Sequence, residues 1–157
     1  MKKEFLNIYN NLVKLTRNKM LYKNSSNNES FSDRLIMFFM HFAFFLKLFK
    51  NHTSKENLQY LYDYIFKQIE LSIREIGYGD ASVNKKMKEY VNLMYAIINN
   101  VESWENLDLS SKSKFFSEYI DTDKESSFFV SYFDKYSLYL IKNSFNYFTK
   151  EVISHKF

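Results

Sequence analysis

The residue types that most often catalyse reactions or bind metals are few and scattered in this chain. Its three histidines, His41, His52 and His155, share no metal-ligand spacing with one another or with an acidic residue, and cysteine is absent. No Glu-x-x-His pair is present, which argues against a di-iron helical bundle. There is also no glycine-flanked serine nucleophile and no phosphate-binding loop. We therefore predict that the protein is not an enzyme and needs neither a cofactor nor a metal ion.

An acidic segment at 121–125, with the sequence DTDKE, superficially resembles the start of a calcium-binding loop. It lacks the glycine at the sixth position of such a loop, and Tyr132 stands where the bidentate glutamate would be. We therefore predict a solvated turn before the last helix.

The most distinctive segment is 74–80, with the sequence REIGYGD, because it contains both glycines of a chain that has no proline. Gly77 falls where a left-handed residue would end a helix. Gly79 is expected to have a second unusual dihedral angle or to be closely approached by the next helix. Asp80 is expected to cap that helix, and Arg74 to bond Asp80 across the turn. The segment is thus predicted to fix the angle between two helices.

Three lysines crowd the start of the helix that follows this turn: Lys85, Lys86 and Lys88. A helix N-terminus carries partial positive charge and normally attracts Asp and Glu. Lysines at this place cost free energy, and such a local conflict is one way in which a functional surface shows itself. The alternative is that three acidic neighbours neutralise the patch: Glu75, Asp80 and Glu89.

Apolar residues recur at helical spacing along most of the chain. The clearest helix begins at a capping box formed by Thr53 and Glu56. Its apolar stripe comprises Leu58, Leu61, Tyr62, Ile65, Phe66, Ile69, Ile73 and Ile76. Asp80 or Ser82 can cap the next helix. The stripe of that helix comprises Val83, Met87, Val91, Met94, Tyr95 and Ile98. Because strand alternation, repeats and domain boundaries are absent, we predict an all-α fold, a single-domain bundle of five to six helices spanning 1–157.

Two segments are unusually apolar. Residues 35–46 are interrupted only by His41, but a membrane-spanning helix needs roughly 20 apolar residues, so we predict a buried central helix. The last helix has more apolar residues than one core-facing stripe requires, which indicates either a partner surface or burial on all sides. These residues are Phe128, Phe129, Tyr132, Phe133, Tyr136, Leu138, Tyr139, Leu140 and Ile141.

Positive charge is concentrated in the first third of the chain. Residues 1–50 contain nine Lys or Arg and three Asp or Glu, a net charge of +6 in a chain whose net charge is +4. Such a region can meet nucleic acid, a ribosome or an anionic membrane surface, and a solvated helix face is the alternative. The first residues lack the features of a signal or transit peptide.

The segment 71–88, LSIREIGYGDASVNKKMK, together with Tyr95, resembles the signature of the ubiquinol–cytochrome c chaperone family. In that family a helix ending in Leu-Arg-Glu-Met-Gly-hydrophobic-Gly-Asp leads into a helix starting near Val-x-Lys-x-Met-Lys. Residues 63–66, DYIF, and His41 in its apolar helix also match family positions. The resemblance extends from about residue 32 to residue 102. One departure is at 94–97, where this chain reads Met-Tyr-Ala-Ile and the family usually reads Phe-Tyr-Gly-Arg.

The resemblance implies an all-helical, non-enzymatic chaperone that assists biogenesis of respiratory ubiquinol–cytochrome c reductase, complex III. Its partner would be newly made cytochrome b or its nascent chain, with a ribosome, an anionic membrane surface or a second assembly-factor subunit as further partners. A bacterial-type member without a transmembrane segment is expected in the cytoplasm or peripherally at the inner membrane. The expected partner-binding residues are Arg74, Glu75, Tyr78, Asp80, Lys85, Lys86, Lys88 and Tyr95, with Gly77 and Gly79 forming the structural turn.

Two other classes of function remain open. A basic nucleic-acid-binding or ribosome-binding domain, or a membrane-surface adaptor, would use the same lysines. The chain has only three arginines, Arg17, Arg34 and Arg74, for bidentate base readout, so we expect no sequence-specific nucleic acid binding. An enzyme that processes lipids or isoprenoids would need paired carboxylate motifs on facing helices, and none is evident.

Overall fold

The computed structural model describes residues 2–22, 30–120 and 126–143. Six α-helices form most of this part of the chain: α1 (Lys2–Thr16), α2 (Phe31–Phe49), α3 (Lys55–Ile76), α4 (Asp80–Glu102), α5 (Leu109–Tyr119) and α6 (Ser126–Lys142). Short 3-10 helices, Lys19–Leu21 and Trp104–Asn106, follow α1 and α4. No strand occurs among the described residues, so the predicted all-α fold of five to six helices is confirmed. The acidic segment at 121–125 lies outside the described residues.

Helix α2 lies at the centre of the molecule because nearly every face of it is apolar. Twelve of its residues are buried, and it packs against α1, α4 and α6. Phe39, Phe42 and Phe45 have almost no surface exposed to solvent. The prediction of a buried central helix from residues 35–46 is therefore confirmed. Within the described ranges, no helix combines the length and the apolar character that crossing a membrane requires.

The start of α3 differs by one residue from the predicted capping box. The N-cap is Ser54, whose hydroxyl accepts a hydrogen bond from the backbone N–H of Asn57 at 3.1 Å. The hydroxyl of Thr53 instead accepts from the side-chain amide of Asn57 at 2.7 Å. The prediction from Thr53 and Glu56 was wrong because two adjacent hydroxyls can both serve as a cap, and only backbone geometry decides between them.

Helix α6 packs against α5 and α2. Most of its surplus apolar residues are buried or half-buried in the core, among them Phe129, Phe133 and Tyr136. Leu138 and Ile141 are the exceptions, with 54% and 64% of their surface exposed. The sequence left open a partner surface or burial on all sides. Neither alternative describes the whole helix, because most of its apolar residues are buried and two near its end face solvent.

Candidate functional site

The glycine turn between α3 and α4 ends α3 as the sequence predicts. Gly77 has φ 108° and ψ 14°, in the left-handed region, and its N–H donates to the carbonyl of Arg74 at 3.0 Å. A side chain at this position would be strained by the backbone even though no atom lies within 4 Å of an added Cβ. The prediction of a left-handed residue at Gly77 is confirmed.

Gly79 does not behave as the sequence suggested. Its φ of −72° and ψ of 164° are extended backbone, and nothing lies within 4 Å of an added Cβ. Both expectations, a second unusual dihedral angle and a close approach of the next helix, were therefore wrong. Gly79 is the N-cap of α4, but it has no side chain with which to accept a hydrogen bond.

An ion-pair chain spans the turn. Asp80 is the first residue of α4 instead of its cap, and its carboxylate accepts from the guanidinium of Arg74 at 2.5 Å. Arg74 also donates to Glu70 at 3.2 Å, and Lys67 donates to the other oxygen of Glu70 at 3.2 Å. Hydrogen bonds from Lys67 and Arg74 lower the pKa of Glu70. The predicted contact of Arg74 with Asp80 is thus confirmed, whereas capping of α4 by Asp80 or Ser82 was wrong.

Apolar side chains are exposed around this turn. Leu71, Ile76 and Tyr78 have 43%, 53% and 43% of their surface accessible to solvent. The sequence placed Ile76 on the core-facing stripe with Ile73, which is fully buried. Ile76 is instead the last residue of α3, and every residue from 74 to 82 is exposed, so this end of the helix projects from the core.

The three lysines lie beyond the first turn of α4, which begins at Asp80, so the predicted conflict with the helix N-terminus was wrong. They fall into two environments. The ammonium group of Lys86 lies over the ring of Tyr78, 4.7 Å from its centroid. Lys85 and Lys88 are exposed, and neither forms an ion pair with a residue that the structure describes. The carboxylate of Asp80 is engaged by Arg74, so the structure gives no support to the alternative that acidic neighbours neutralise the patch.

Tyr95 lies on the same exposed face of α4 as two of these lysines. Lys85, Lys88, Asn92 and Tyr95 follow one another at spacings of three and four residues, and all are exposed. Tyr95 is 54% exposed and stacks on Tyr62, with ring centroids 6.0 Å apart and planes inclined by 13°. Its assignment to the core-facing stripe of α4 was therefore wrong. At 1.5 Å per residue, Tyr95 lies about 15 Å along the helix from Lys85.

A groove opens beside Tyr95, between α2, α3 and α4, with a volume of about 430 Å³. We call it the tyrosine groove because Tyr62 and Tyr95 line it together with apolar residues such as Leu46 and Ile98. Two of its three lysines are paired: Lys47 donates to Glu105 at 2.5 Å, and Lys50 forms an ion pair with Glu102, whereas Lys55 is in no ion pair with a described residue. Burial raises the pKa of Tyr62, and the neighbouring Tyr95 adds to this effect.

His41 is fully buried between α2 and α6. Its Nδ1 lies 2.7 Å from the carbonyl of Met37, so Nδ1 must carry the proton and donate. Its Nε2 therefore accepts from the hydroxyl of Tyr132, also at 2.7 Å, and Tyr136 donates to the backbone carbonyl of His41 at 3.1 Å. Burial lowers the pKa of His41 from 6.5 to about 4. This histidine is a neutral structural contact.

The structure thus brings most of the expected partner-binding residues together at the turn and places Tyr95 at the far end of one exposed stripe. Sequence reasoning missed the exposure of Leu71 and Ile76, because both have the residue type of a core position. It also missed the tyrosine groove, which needs three helices to form. Among the described residues, no group of His, Cys, Asp and Glu is arranged to hold a metal ion.

The geometry is that of an all-α protein whose distinctive residues lie on an exposed surface. Comparison with protein families matches residues 23–104, just over half of the chain, to the family described as ubiquinol-cytochrome C chaperone. The chain belongs to this family, and the family indicates a role in complex III assembly. The match contains α2, α3, α4, the glycine turn and Tyr95. Comparison with curated proteins and with solved structures gave no significant match.

Proposed function

We propose that this protein assists complex III assembly by binding newly made cytochrome b. In this proposal the chain works as one helical domain over residues 1–157, without catalysis and without a cofactor. Family membership supports the role in complex III assembly. The identity of the client and the location of its binding surface rest on the arguments that follow.

The observation that carries the proposal is a group of exposed residues within the family-matched segment. It begins with the apolar residues Leu71, Ile76 and Tyr78 at the turn and continues along α4 through Lys85 and Lys88 to Tyr95. We call these six residues the client surface. Single exposed apolar residues are common in proteins, but a group of them beside cations without ion pairs is typical of an interaction site.

The chemistry of this surface fits a membrane protein that has not yet been assembled. Such a client exposes apolar helices, which Leu71, Ile76 and Tyr78 can contact. Lys85 and Lys88 can meet acidic groups of the client or of lipids around it. The ion pair of Arg74 with Asp80 braces the turn beneath, while Glu75 and Lys86 lie at the edge of the surface. A braced turn presents these side chains in a fixed arrangement, as a docking site requires.

The proposal is tested in a strain that lacks the protein, by measuring cytochrome b spectroscopically and complex III on native gels. Loss of the protein should lower both and leave other respiratory complexes intact. The parent chain should restore them, whereas the Lys85→Glu/Lys88→Glu variant should not. Lys85 and Lys88 are exposed positions in the second and third turns of α4, and glutamate is a good helix former, so this variant should remain fully helical.

The matched control is Lys135→Glu/Lys142→Glu, which makes the same charge change on α6, away from the client surface. This control should restore complex III as well as the parent does. Normal cytochrome b in the deletion strain would contradict the proposed client. If the deletion lowers cytochrome b but both variants restore it, the client is correct and the assigned surface is wrong.

A further inference from the structure

A second groove, of about 510 Å³, lies near the other end of α2 from Lys47 and Lys50, between α1, α2 and α3. Its walls are apolar and come from all three helices, with Val13 on α1, Leu35 on α2 and Ile69 on α3. Ligand sites in proteins typically have volumes of about 300–1,000 Å³ and apolar linings with a few polar groups. The groove is therefore large enough to hold part of a small amphiphilic molecule.

Three cations line the same groove: Arg17, Lys19 and Arg34. All three are exposed, and none forms an ion pair within the part of the chain that the structure describes. No carboxylate is among the described residues that line the groove. We call it the arginine groove. It has two of the three arginines in the chain, whereas Arg74, the third, is held by two carboxylates.

The charges are concentrated at one end of this groove. Arg17 follows the end of α1 and Arg34 lies in the first turn of α2, where the two helices are joined. At the other end, the rings of Tyr9 and Phe38 meet with centroids 5.9 Å apart. From Tyr9 to Arg17 the distance along the helix is about 12 Å at 1.5 Å per residue. The groove therefore has a cationic mouth with an apolar channel behind it, and the two together are about 12 Å long.

We propose that the arginine groove binds one anionic phospholipid, with its phosphate at Arg17 and Arg34 and an acyl chain along the apolar channel. A guanidinium binds a phosphate through two parallel hydrogen bonds, which makes arginine well suited to this group. Half of a bilayer's hydrocarbon core is about 15 Å thick, so the groove, about 12 Å long, can hold part of an acyl chain. A nucleic acid or a free phosphate would satisfy the cations but would leave the apolar walls exposed to water.

The site does not depend on the identity of the client. It would hold the chaperone at the surface of an anionic membrane, where a membrane protein is assembled. The sequence of residues 23–29, KNSSNNE, contains no apolar side chain.

Flotation with lipid vesicles tests the charged end of the site. The parent protein should bind vesicles of phosphatidylcholine mixed with phosphatidylglycerol and should not bind pure phosphatidylcholine. Arg17→Gln/Arg34→Gln should weaken binding roughly 25-fold, since each basic residue near an anionic surface contributes about fivefold. Lys135→Gln/Lys142→Gln removes the same charge from exposed positions on α6 and should change binding by less than about twofold. Equal losses in the two variants would show diffuse attraction and overturn the proposal.

The apolar end is tested by filling it. Ser72 lines the channel and its hydroxyl donates only to the carbonyl of Gln68, one turn earlier in the same helix. Ser72→Phe should keep the charge and weaken vesicle binding on the order of tenfold, which corresponds to lost contact with about two methylene groups. Ser72→Leu, a smaller change, serves if the Phe variant has lost helicity. Unchanged binding in the variant that folds would overturn the proposal.

Two soluble probes separate the lipid from other sources of phosphate. Glycerol phosphate, which has no acyl chain, should not compete with the vesicles. A homopolymeric RNA should bind more weakly than the vesicles, and Ser72→Phe should leave RNA binding unchanged. Competition by glycerol phosphate would show a phosphate site only, and tighter binding to RNA would show a nucleic-acid surface. Either result would overturn the proposal.

Discussion

Two polar contacts between helices differ in burial: one lies in the core and the other is exposed to solvent. At the junction of α2 and α6, His41 and Tyr132 are almost completely buried and are joined by a hydrogen bond of 2.7 Å. At the turn between α3 and α4, Arg74 and Asp80 are joined at 2.5 Å, but their side chains are 39% and 87% exposed. Both contacts are short, and each joins two helices.

The difference in burial gives the two contacts different roles. When a buried hydrogen bond is broken, water cannot replace the lost partner, and the polar group that remains costs free energy. When an exposed ion pair is broken, water solvates both charges and little stability is lost. The His41 contact therefore fixes how α2 packs against α6, whereas the ion pair of Arg74 with Asp80 contributes little to the stability of the fold.

The largest effect that we predict is at the buried contact. His41→Leu should lower the free energy of unfolding by about 2–3 kcal/mol, because the buried hydrogen bond between His41 and Tyr132 is lost. Denaturant unfolding monitored by circular dichroism measures this change. Arg74→Gln at the exposed contact provides the comparison, and its unfolding midpoint should be indistinguishable from that of the parent.

A double-mutant cycle measures the coupling between His41 and Tyr132. Tyr132→Phe alone should also be destabilising, because Nε2 of His41 loses its donor. The double variant, His41→Leu with Tyr132→Phe, leaves neither group without its partner and should be less destabilised than the sum of the single variants. Strictly additive losses would show that the hydrogen bond contributes no coupling and that only packing matters.

The second prediction concerns pH. His41 has a pKa of about 4 in the folded chain and about 6.5 in the unfolded chain, so the unfolded chain binds more protons between these values. Stability should therefore fall as the pH decreases from 6.5 to 4, by about 3 kcal/mol in total, and this contribution should level off below pH 4. Denaturant unfolding at a series of pH values measures the slope.

The matched variants for the pH series are His41→Leu and His52→Gln. The first removes the buried histidine, so its stability should fall much less across this range. The second changes an exposed histidine and should retain the slope of the parent. Ion-paired carboxylates such as Glu105, whose pKa is lowered by Lys47, contribute equally to all three proteins. Parallel curves for the parent and His41→Leu would contradict the prediction.

The features that could be predicted from the sequence depend on residues near one another in the chain. Gly77 ends a helix because the apolar spacing stops there and a left-handed residue is needed. The contact of Arg74 with Asp80 spans six residues across one turn. The number of helices follows from periodicity in the same way. In each case the interaction is local, so spacing alone is enough.

Features that depend on distant parts of the chain could not be predicted. His41 and Tyr132 are 91 residues apart, and no spacing rule joins them. Ile76 and Tyr95 have the periodicity of core residues, but whether the end of a stripe is covered depends on the neighbouring helices. The two grooves each need three helices. Family resemblance pointed to Tyr95 as a binding residue when periodicity placed it in the core.

The third and smallest prediction separates two glycines that look alike in the sequence. Gly77→Ala should lower the free energy of unfolding by about 1 kcal/mol, because alanine resists the φ of 108° found there. Gly79→Ser should raise it by a few tenths of a kcal/mol, because a serine at the N-cap of α4 can accept a backbone hydrogen bond that glycine cannot. The measurement is the shift in the denaturant midpoint of each variant, with helicity checked by circular dichroism.

The space around Gly79 is open, so the added side chain meets no obstacle. Destabilisation by Gly79→Ser as large as that by Gly77→Ala would mean that the turn needs both glycines and that the extended geometry of Gly79 does not describe the protein in solution. If neither variant differs from the parent, the turn imposes no backbone constraint, and the client surface then lacks the fixed support on which its proposed role depends.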